Sequence, residues 1–285
     1  MKVLVLGVTG MLGNSVFRVF EDDAEHEVWG TLRSSSSLRY FPETSHSRLI
    51  CSVDVLDQDA LVSVLARVRP ELVINCVGLI KQLADAKDPL TALPINAMLP
   101  HRLSHLCALS GTRLVHVSTD CVFSGTKGGY LESDPSDAED LYGKSKFIGE
   151  LHDQHHSITL RTSIIGHELN SHYALVDWFL AQQTSVKGFK RAIFSGLPTV
   201  ELARVMKDFV LPHPELNGLY HVAAEPITKL ELLRLIAAQY GKEIEIRPDD
   251  ALVIDRSLSG ERFREATGYV APLWPELIQR MHAGR

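Results

Sequence analysis

Cysteine is scarce in this chain and never paired. Cys51, Cys76, Cys107 and Cys121 are scattered through 285 residues with no Cys-x-x-Cys spacing. That disfavours a structural zinc site or a disulfide-stapled secreted domain, and the four read as buried thiols. No apolar run approaches the roughly 20 residues needed to span a bilayer, so no membrane partner is expected. An excess of positive charge is also missing. The 29 Lys+Arg against 35 Asp+Glu leave a formal charge of −6 with His neutral. A nucleic-acid-binding domain is usually basic with clustered Lys/Arg, so no nucleic acid is expected. There is no internal repeat, and the only low-complexity run is Ser34–Ser37, a loop too short to be a linker. No secretory leader is recognisable where Val3-Leu4-Val5-Leu6 runs straight into glycine, which leads us to expect a cytoplasmic protein. What is present, 45 % hydrophobic and 22 % charged residues, is the composition of an ordinary globular domain.

The apolar residues fall into short runs at Val3–Leu6, Glu27–Leu32, Arg48–Val53, Leu72–Asn75, Arg113–Val117 and Ile158–Thr162. Each is nearly continuous, and helix-length sequence separates one from the next, as in a parallel sheet covered on both faces. Helices are expected over Asp57–Arg67, Leu93–Ser110 and Asp140–Gln154. The alternation predicts a Rossmann-type, doubly wound α/β domain over residues 1–165. Beyond Gly166 the rhythm breaks into a mixed stretch with Tyr173, Trp178 and Phe179. A helix at Glu201–Leu211, a strand at Gly218–Ala223, a helix at Lys229–Tyr240, a strand at Glu243–Arg247 and a helix near Trp274–Met281 follow. Residues 166–285 therefore read as a smaller, partly interleaved α/β substrate-binding cap, with a segment around 196–224 returning to the first domain.

Gly7-Val8-Thr9-Gly10-Met11-Leu12-Gly13 follows the first strand and opens the first helix. Gly7 permits the tight turn, Gly10 lets backbone approach a pyrophosphate, and Gly13 lets helix and strand pack closely. The free N–H groups and positive dipole end at that helix start suit phosphates. An NAD-specific site usually places Asp or Glu after the second strand. Here the residues are Thr31-Leu32-Arg33-Ser34-Ser35, without a carboxylate. A guanidinium beside hydroxyls suits a 2′-phosphate, so NADP(H) is the expected cofactor, with NAD(H) possible. Asp54, next to Val55 past the third run, is a candidate for the adenine edge.

Tyr142-Gly143-Lys144-Ser145-Lys146 sets a phenol and an ammonium four residues apart on one helix face. A carbonyl reductase needs a proton donor for oxygen as hydride reaches carbon. A free phenol, with a pKa near ~10, needs roughly 4 kcal/mol of help to act near neutrality, and a partly desolvated lysine one turn away is a natural source. Upstream, Val117-Ser118-Thr119-Asp120-Cys121 delivers hydroxyls to the carboxyl edge of the sheet, where ligands of open α/β sheets bind.

In that order and spacing, the glycine loop, Ser118-Thr119-Asp120 and Tyr142-x-x-x-Lys146 resemble an extended short-chain dehydrogenase/reductase. Val117–Gly125 and Tyr142–Glu150 are similar to the dTDP-4-dehydrorhamnose reductase branch. Gly196-Leu197-Pro198-Thr199, Gly218-Leu219-Tyr220-His221 and Asp255-Arg256-Ser257-Leu258 resemble its cap segments. The resemblance spans essentially the whole chain. It implies a catalytic set of Thr119, Tyr142 and Lys146, a cofactor lying along Asn75, Cys76, Val77 and Gly78 and touching Asn96, Tyr142 and Lys146, with Lys146 on its ribose, and an Asn96 that stabilises the active-site helix. It also implies a homodimer through the helices at Leu93–Ser110 and Asp140–Gln154. One departure is Cys121, where the branch commonly has an aromatic. With no His partner at motif spacing, Cys121 reads as a packing residue.

The thirteen histidines offer no metalloprotease pattern, since Arg102 rather than Glu follows His101 in the His101/His105 pair, and no metal is expected. For the cap, Lys187, Lys190, Arg191 and Arg256 are candidates to hold a nucleotide diphosphate, and Arg256 is favoured by its segment. Asp120 and Cys121 join Thr119 as expected substrate contacts. The expected activity is NADPH-dependent reduction of a nucleotide-activated 4-keto-6-deoxy sugar, in deoxysugar synthesis for a surface polysaccharide or glycoconjugate. Alternatives are an epimerase or dehydratase with an internally recycled cofactor, for which Asp120 would supply a carboxylate, and a non-catalytic NADP-binding regulatory subunit.

Overall fold

The computed structural model describes residues 1–79 and 87–285. The chain opens with β1 (Lys2–Leu6), α1 (Met11–Glu21), β2 (Glu27–Thr31), β3 (Leu49–Ile50), α2 (Gln58–Val68) and β4 (Leu72–Asn75). A helical stretch follows as α3 (Pro89–Ala92), a π-helical segment Leu93–Met98, and α4 (Leu99–Ser110). Next come β5 (Arg113–Thr119), α5 (Leu141–Ile148), β6 (Ser157–Thr162), β7 (Ile164–Ile165), α6 (Leu175–Ala181), β8 (Ser185–Phe194), β9 (Leu197–Pro198) and α7 (Thr199–Val205). The chain closes with β10 (Gly218–His221), β11 (Ile227–Thr228), α8 (Lys229–Tyr240), β12 (Glu245–Asp255), α9 (Glu261–Thr267) and α10 (Trp274–Ala283). No helix among the described residues is long and apolar enough to cross a membrane.

Two compact units divide these elements. Met1–Ser118, Asp140–Leu160 and Pro214–Leu219 form the first, and Thr119–Glu139, Arg161–His213 and Tyr220–Arg285 form the second. The first unit carries a seven-stranded sheet in the order β10-β6-β5-β4-β1-β2-β3. β1 pairs in parallel with β2 and β4, β2 with β3, and β4 with β5. From β1 the chain winds outward through β2 and β3, then returns to the other side of β1 at β4. That reversal makes the carboxyl ends of β1 and β4 the switch point of a doubly wound sheet, where such folds bind ligands.

Flanking helices present apolar faces to the sheet, with Leu12, Val16, Phe17 and Phe20 of α1 and Leu61, Val64 and Val68 of α2 all buried. Asp57 caps α2 by accepting from the N–H groups of Asp59 and Ala60. The core joins Leu4, Leu6, Val73, Leu99, Leu103 and Leu114 with Cys107, whose thiol burial pushes up to about 12.

The connection from β2 to β3, where the serine run reads as a loop, holds two 3₁₀ turns, Ser35–Tyr40 and Glu43–Arg48. Pro42 separates them, and the Ser34 hydroxyl accepts from the Ser36 N–H, which favours a turn over a longer helix. The strand expected over Arg48–Val53 shrinks to Leu49–Ile50, because Ser52 takes φ 61° and leaves the extended region. The helix expected over Asp140–Gln154 stops at Ile148. There Gly149 approaches Asn96 so closely that a Cβ on it would lie 2.1 Å from the Asn96 carbonyl oxygen.

In the second unit β8 pairs in parallel with β12 and antiparallel with β11. β12 runs well past the expected Glu243–Arg247, with an irregularity between Asp249 and Val253. α6 and α9 are short helices that the apolar pattern did not mark. The expected Glu201–Leu211 helix is α-helical through Val205 and π-helical over Met206–Val210. α8 matches its expected Lys229–Tyr240 bounds and starts from a full capping box between Thr228 and Glu231. The fully buried Arg161 guanidinium stacks over the Phe123 ring at 5.0 Å and bonds His221 Nε2 at 2.9 Å, while His221 Nδ1 meets the Tyr130 carbonyl.

The tightest helix–strand approach lies in the glycine loop, where a Cβ on Gly13 would stand 2.1 Å from the Gly7 carbonyl oxygen. Backbone cannot yield as a side chain can. Gly13→Ala should therefore cost about 1–3 kcal/mol by overpacking. Urea unfolding checks this, and a variant of unchanged stability would show that the loop can open.

Candidate functional site

A groove of about 200 Å³ lies at the switch point of the first unit. Gly7, Thr9 and Gly10 line it from the first loop, Thr31 and Arg33 from the end of β2, Val53 and Val55 from beyond β3, and Cys76, Val77 and Gly78 from the end of β4. Gly7 sits at φ +81°, and a Cβ there would lie 2.8 Å from Val77 Cγ2. Gly10 caps α1 without a side-chain bond, and the first turn carries no acidic residue, so its N–H groups face no competing carboxylate. These features fit a dinucleotide pyrophosphate. Met11, Leu12 and Gly13 form the first turn of α1. Ser34 and Asp54 are not among the lining residues: Ser34 caps the first 3₁₀ turn, and Asp54 accepts the Leu56 N–H. The Cys76 thiol is pushed up to about 12 by burial, which makes it a packing group and not a nucleophile.

Beside Gly78 the groove meets polar groups of the same unit. A Cβ on Gly78 would lie 3.5 Å from Asn96 Oδ1 and 3.8 Å from Lys146 Nζ. Asn96, buried in the π-helical segment, accepts from the Leu79 N–H at 2.9 Å and donates to Ser145 Oγ at 3.2 Å. Ser145 in turn donates to the Tyr142 carbonyl at 2.8 Å. One amide thus ties the loop after β4 to α5, and π-helical turns are frequent at functional sites.

Lys146 is only 6 % exposed, and its ammonium donates to the Val117 carbonyl at 2.8 Å. Glu150, a residue that motif reasoning left without a role, is buried nearby and accepts from Ser118 Oγ at 2.6 Å. His116, also unremarked, pairs across the strands with Asn75. Asn75 Oδ1 accepts the Val77 N–H, so its amide nitrogen faces His116 Nδ1 at 3.2 Å. Burial, then the charges of Lys146 and His101, hold the His116 imidazole well below its ordinary value and hence neutral.

The second unit gathers its own set around the end of β5. Thr119 is 8 % exposed, donates to Asp120 Oδ1 at 3.1 Å and accepts from the Cys121 N–H. Burial pushes the Asp120 carboxyl up, while Arg256 and the hydroxyls of Thr119 and Ser163 pull it down. Arg256 donates through Nε to the Phe123 carbonyl at 2.7 Å and lies 3.8 Å from Cys121 Sγ. Lys229, absent from the sequence candidates, belongs to this cluster. Burial pushes its ammonium down, Asp120 and Cys121 pull it up, and Arg256 lowers it further. Only its position after a capping threonine marked it in sequence, which says nothing about charge. Lys190 is placed differently, on β8, with its ammonium 2.7 Å from Asp250 at the surface.

Burial lowers the Lys146 ammonium from 10.5 to about 8, with Glu150 opposing. An unfolded lysine keeps its proton to higher pH, so between about 8 and 10.5 the unfolded chain binds more protons and stability rises with pH. Relative to Lys146→Met, the wild type should gain up to about 3 kcal/mol across that window. Urea unfolding of both proteins at several pH values checks this, and a difference flat with pH would mean that the ammonium is not desolvated.

Residues 1–267 match the family described as the RmlD substrate binding domain. Among curated proteins, methionine adenosyltransferase 2 subunit beta of Xenopus tropicalis is 24 % identical over 98 % of this chain and 89 % of its own length. Among solved structures, dTDP-4-dehydrorhamnose reductase of Bacillus anthracis, in complex with NADP, superposes with a TM-score of 0.80 at 21 % identity, covering 100 % of this chain and 98 % of that one. Bordetella bronchiseptica WbmG, in complex with NAD, gives 0.79 at 18 % identity, over 100 % and 93 %. At such identities these structures attest the fold. The family match covers more than nine-tenths of the sequence, and the chain belongs to the RmlD substrate binding domain family of extended short-chain dehydrogenase/reductases.

Proposed function

We propose that this protein is an NADPH-dependent reductase of a nucleotide-activated 4-keto-6-deoxy sugar. Family membership supports a nicotinamide-dependent oxidoreductase in general. The observation that carries the reductase reading is the buried Lys146 ammonium, fixed on the Val117 carbonyl one helical turn from Tyr142 and next to the Gly78 edge of the dinucleotide groove. The nicotinamide, when bound, supplies the hydride.

The protein's own residues then supply orientation and a proton. Gly7, Thr9, Gly10 and the first turn of α1 hold the pyrophosphate, with the walls at Val55 and at Cys76, Val77 and Gly78 against the rest of the dinucleotide. Arg33, exposed at the end of β2, takes the ribose 2′-phosphate. Asn96 keeps α5 in register with the loop after β4. Tyr142 donates its phenolic proton to the carbonyl oxygen, and Lys146 stabilises the resulting phenolate by its charge. Thr119 orients the carbonyl. To do so its hydroxyl turns away from Asp120, which the charge of Arg256 makes less costly.

The curated relative named as a subunit favours a second reading, in which the chain binds the dinucleotide and serves another protein without turnover. Absorbance loss of NADPH with 4-keto-6-deoxy sugars linked to dTDP, UDP, GDP and CDP separates the two. Consumption with one of them supports the reductase. Tight NADP(H) binding with no consumption supports the subunit.

Two substitutions follow. Tyr142→Phe should lower kcat by at least about 100-fold while leaving NADPH affinity near wild type, and full turnover in this variant would sink the mechanism. Arg33→Ala should raise the KM for NADPH about tenfold and leave that for NADH unchanged. Equal effects on both cofactors would remove Arg33 from the 2′-phosphate.

A further inference from the structure

Reducing a carbonyl consumes one proton for each hydride, so the proton that Tyr142 gives up has to be replaced from solvent. The first unit buries the group nearest to that proton. Lys146 is only 6 % exposed, and its ammonium is bonded to the Val117 carbonyl. On the groove side its neighbour is Gly78, where a Cβ would lie 3.8 Å from Nζ. A dinucleotide seated in the groove shuts that edge to water, and the ammonium then has to exchange protons by another way.

The same unit supplies one. Glu150 follows Lys146 at i+4, and although α5 ends at Ile148, Gly149 keeps helical backbone at φ −80° and ψ −2°, so the two side chains stay on one side of the chain. They reach consecutive residues of β5. The Lys146 ammonium donates to the Val117 carbonyl at 2.8 Å, and the Glu150 carboxylate accepts from Ser118 Oγ at 2.6 Å. Their charged heads therefore meet at one peptide unit of the sheet, and Glu150 pulls the ammonium up against the effect of burial. The second carboxylate oxygen leads outward. Glu150 Oε2 lies 3.6 Å from His152 Nε2, and the His152 side chain is 44 % exposed while that of Glu150 is wholly buried. A small rotation of a half-exposed ring, or a bridging water, closes a step of that size.

The other histidines near this corner are engaged elsewhere. His116, which faces Lys146, is held neutral by burial, His101 bonds the Ile148 carbonyl, and His156 bonds Ser104. Neither Glu150 nor His152 lines the dinucleotide groove. A counter-ion for Lys146 needs no imidazole at its outer oxygen. A carboxylate that joins a buried ammonium to a half-exposed imidazole, the side chain that exchanges protons with water near neutrality, has the order of groups of a relay.

We propose that His152 and Glu150 form a proton path from solvent to Lys146. Its use rests on the reductase reading. Once Tyr142 has given its proton to the carbonyl oxygen, the phenolate takes a proton from the Lys146 ammonium. The Lys146 amine takes one from the Glu150 carboxyl, which has received it from the His152 imidazolium, and the imidazole regains its proton from water. One proton enters for each hydride transferred, and every side chain returns to its starting charge. Glu150 and His152 act only through Lys146 and are positioning residues for its proton.

Hydrogen exchange between the Lys146 ammonium and water tests this without turnover. It is read by 15N NMR of the lysine-labelled full chain, with and without NADP, and the signal is assigned by its loss in Lys146→Met. Exchange should slow tenfold or more in Glu150→Gln, whose amide still accepts the Ser118 hydroxyl. It should slow as much in His152→Ala, whose half-exposed side chain makes no other polar contact among the described residues. Added imidazole should restore the rate in His152→Ala, a rescue that a packing role would not give. In turnover both variants should lower kcat at least about threefold above pH 8 and leave the KM for NADPH unchanged. Exchange unchanged within twofold in His152→Ala, a loss there that imidazole does not restore, or an unaltered kcat in a chain that turns over overturns the path. His152→Ala alters only the surface, so the test stands even where Glu150→Gln proves unstable. A wild type that consumes no NADPH, with variants that show the slowed and rescued exchange, loses the reductase reading and keeps the path.

Discussion

Burying the Lys146 ammonium is the constraint on which the first unit's polar architecture depends. Withdrawing such a charge from water costs several kcal/mol unless its donors are met. Here the Val117 carbonyl takes one, and buried Glu150, braced by Ser118, returns part of the lost electrostatic energy. Those contacts require α5 to lie close against the loop after β4. Asn96 secures that approach by bonding the Leu79 N–H on one side and Ser145 on the other. Gly149 makes the approach possible, since any Cβ there would strike the Asn96 carbonyl. The Gly149 contact and the Asn96 bonds thus serve one requirement, that a lysine reach the sheet edge in a buried setting.

The parallel sheet was legible because its strands are short, continuous Val/Ile/Leu runs, and the capping residues Asp57 and Thr228 stand where helices start. The groove was legible as well, because a glycine is needed wherever a Cβ would collide, and Gly7 and Gly13 do meet that condition. What the sequence concealed depends on tertiary neighbours. Nothing in Gly149 says that the carbonyl it packs against belongs to Asn96, some fifty residues earlier in the chain. Nothing in Ser52 announces a positive φ. α6 and α9 are only seven residues long each, too short for a periodic apolar face to declare itself. Lys229, Glu150 and His116 lie in otherwise ordinary helix or strand sequence, and only burial and the company they keep give them electrostatic weight.

Charge in the second unit makes the same point. Counted along the chain, Lys187, Lys190 and Arg191 stand beside Arg256 as candidates for an anion, and only its segment favours Arg256. Side-chain neighbours separate them: Lys187 and Lys190 of β8 make ion pairs with Asp249 and Asp250 of β12, whereas Arg256 lies just past the end of that strand. A cation's usefulness to a ligand depends on what already neutralises it and how much water surrounds it, and neither can be counted from composition.

Turning over a substrate and only binding a dinucleotide make different demands on these residues. Holding a pyrophosphate requires the glycine loop, the free turn of α1 and the walls at Val55 and Gly78, none of which involves a buried charge. An apolar side chain at position 146, with an apolar partner in place of Glu150, would avoid the desolvation penalty of a buried cation. The chain instead keeps the lysine, lowers its proton affinity by burial, and sets it one turn from a tyrosine. Its neighbour His116 is held neutral, so it adds no second positive charge at the same edge. Local stability given up at a site whose geometry suits proton transfer is the physical signature of chemistry, and it weighs toward the reductase over the silent subunit.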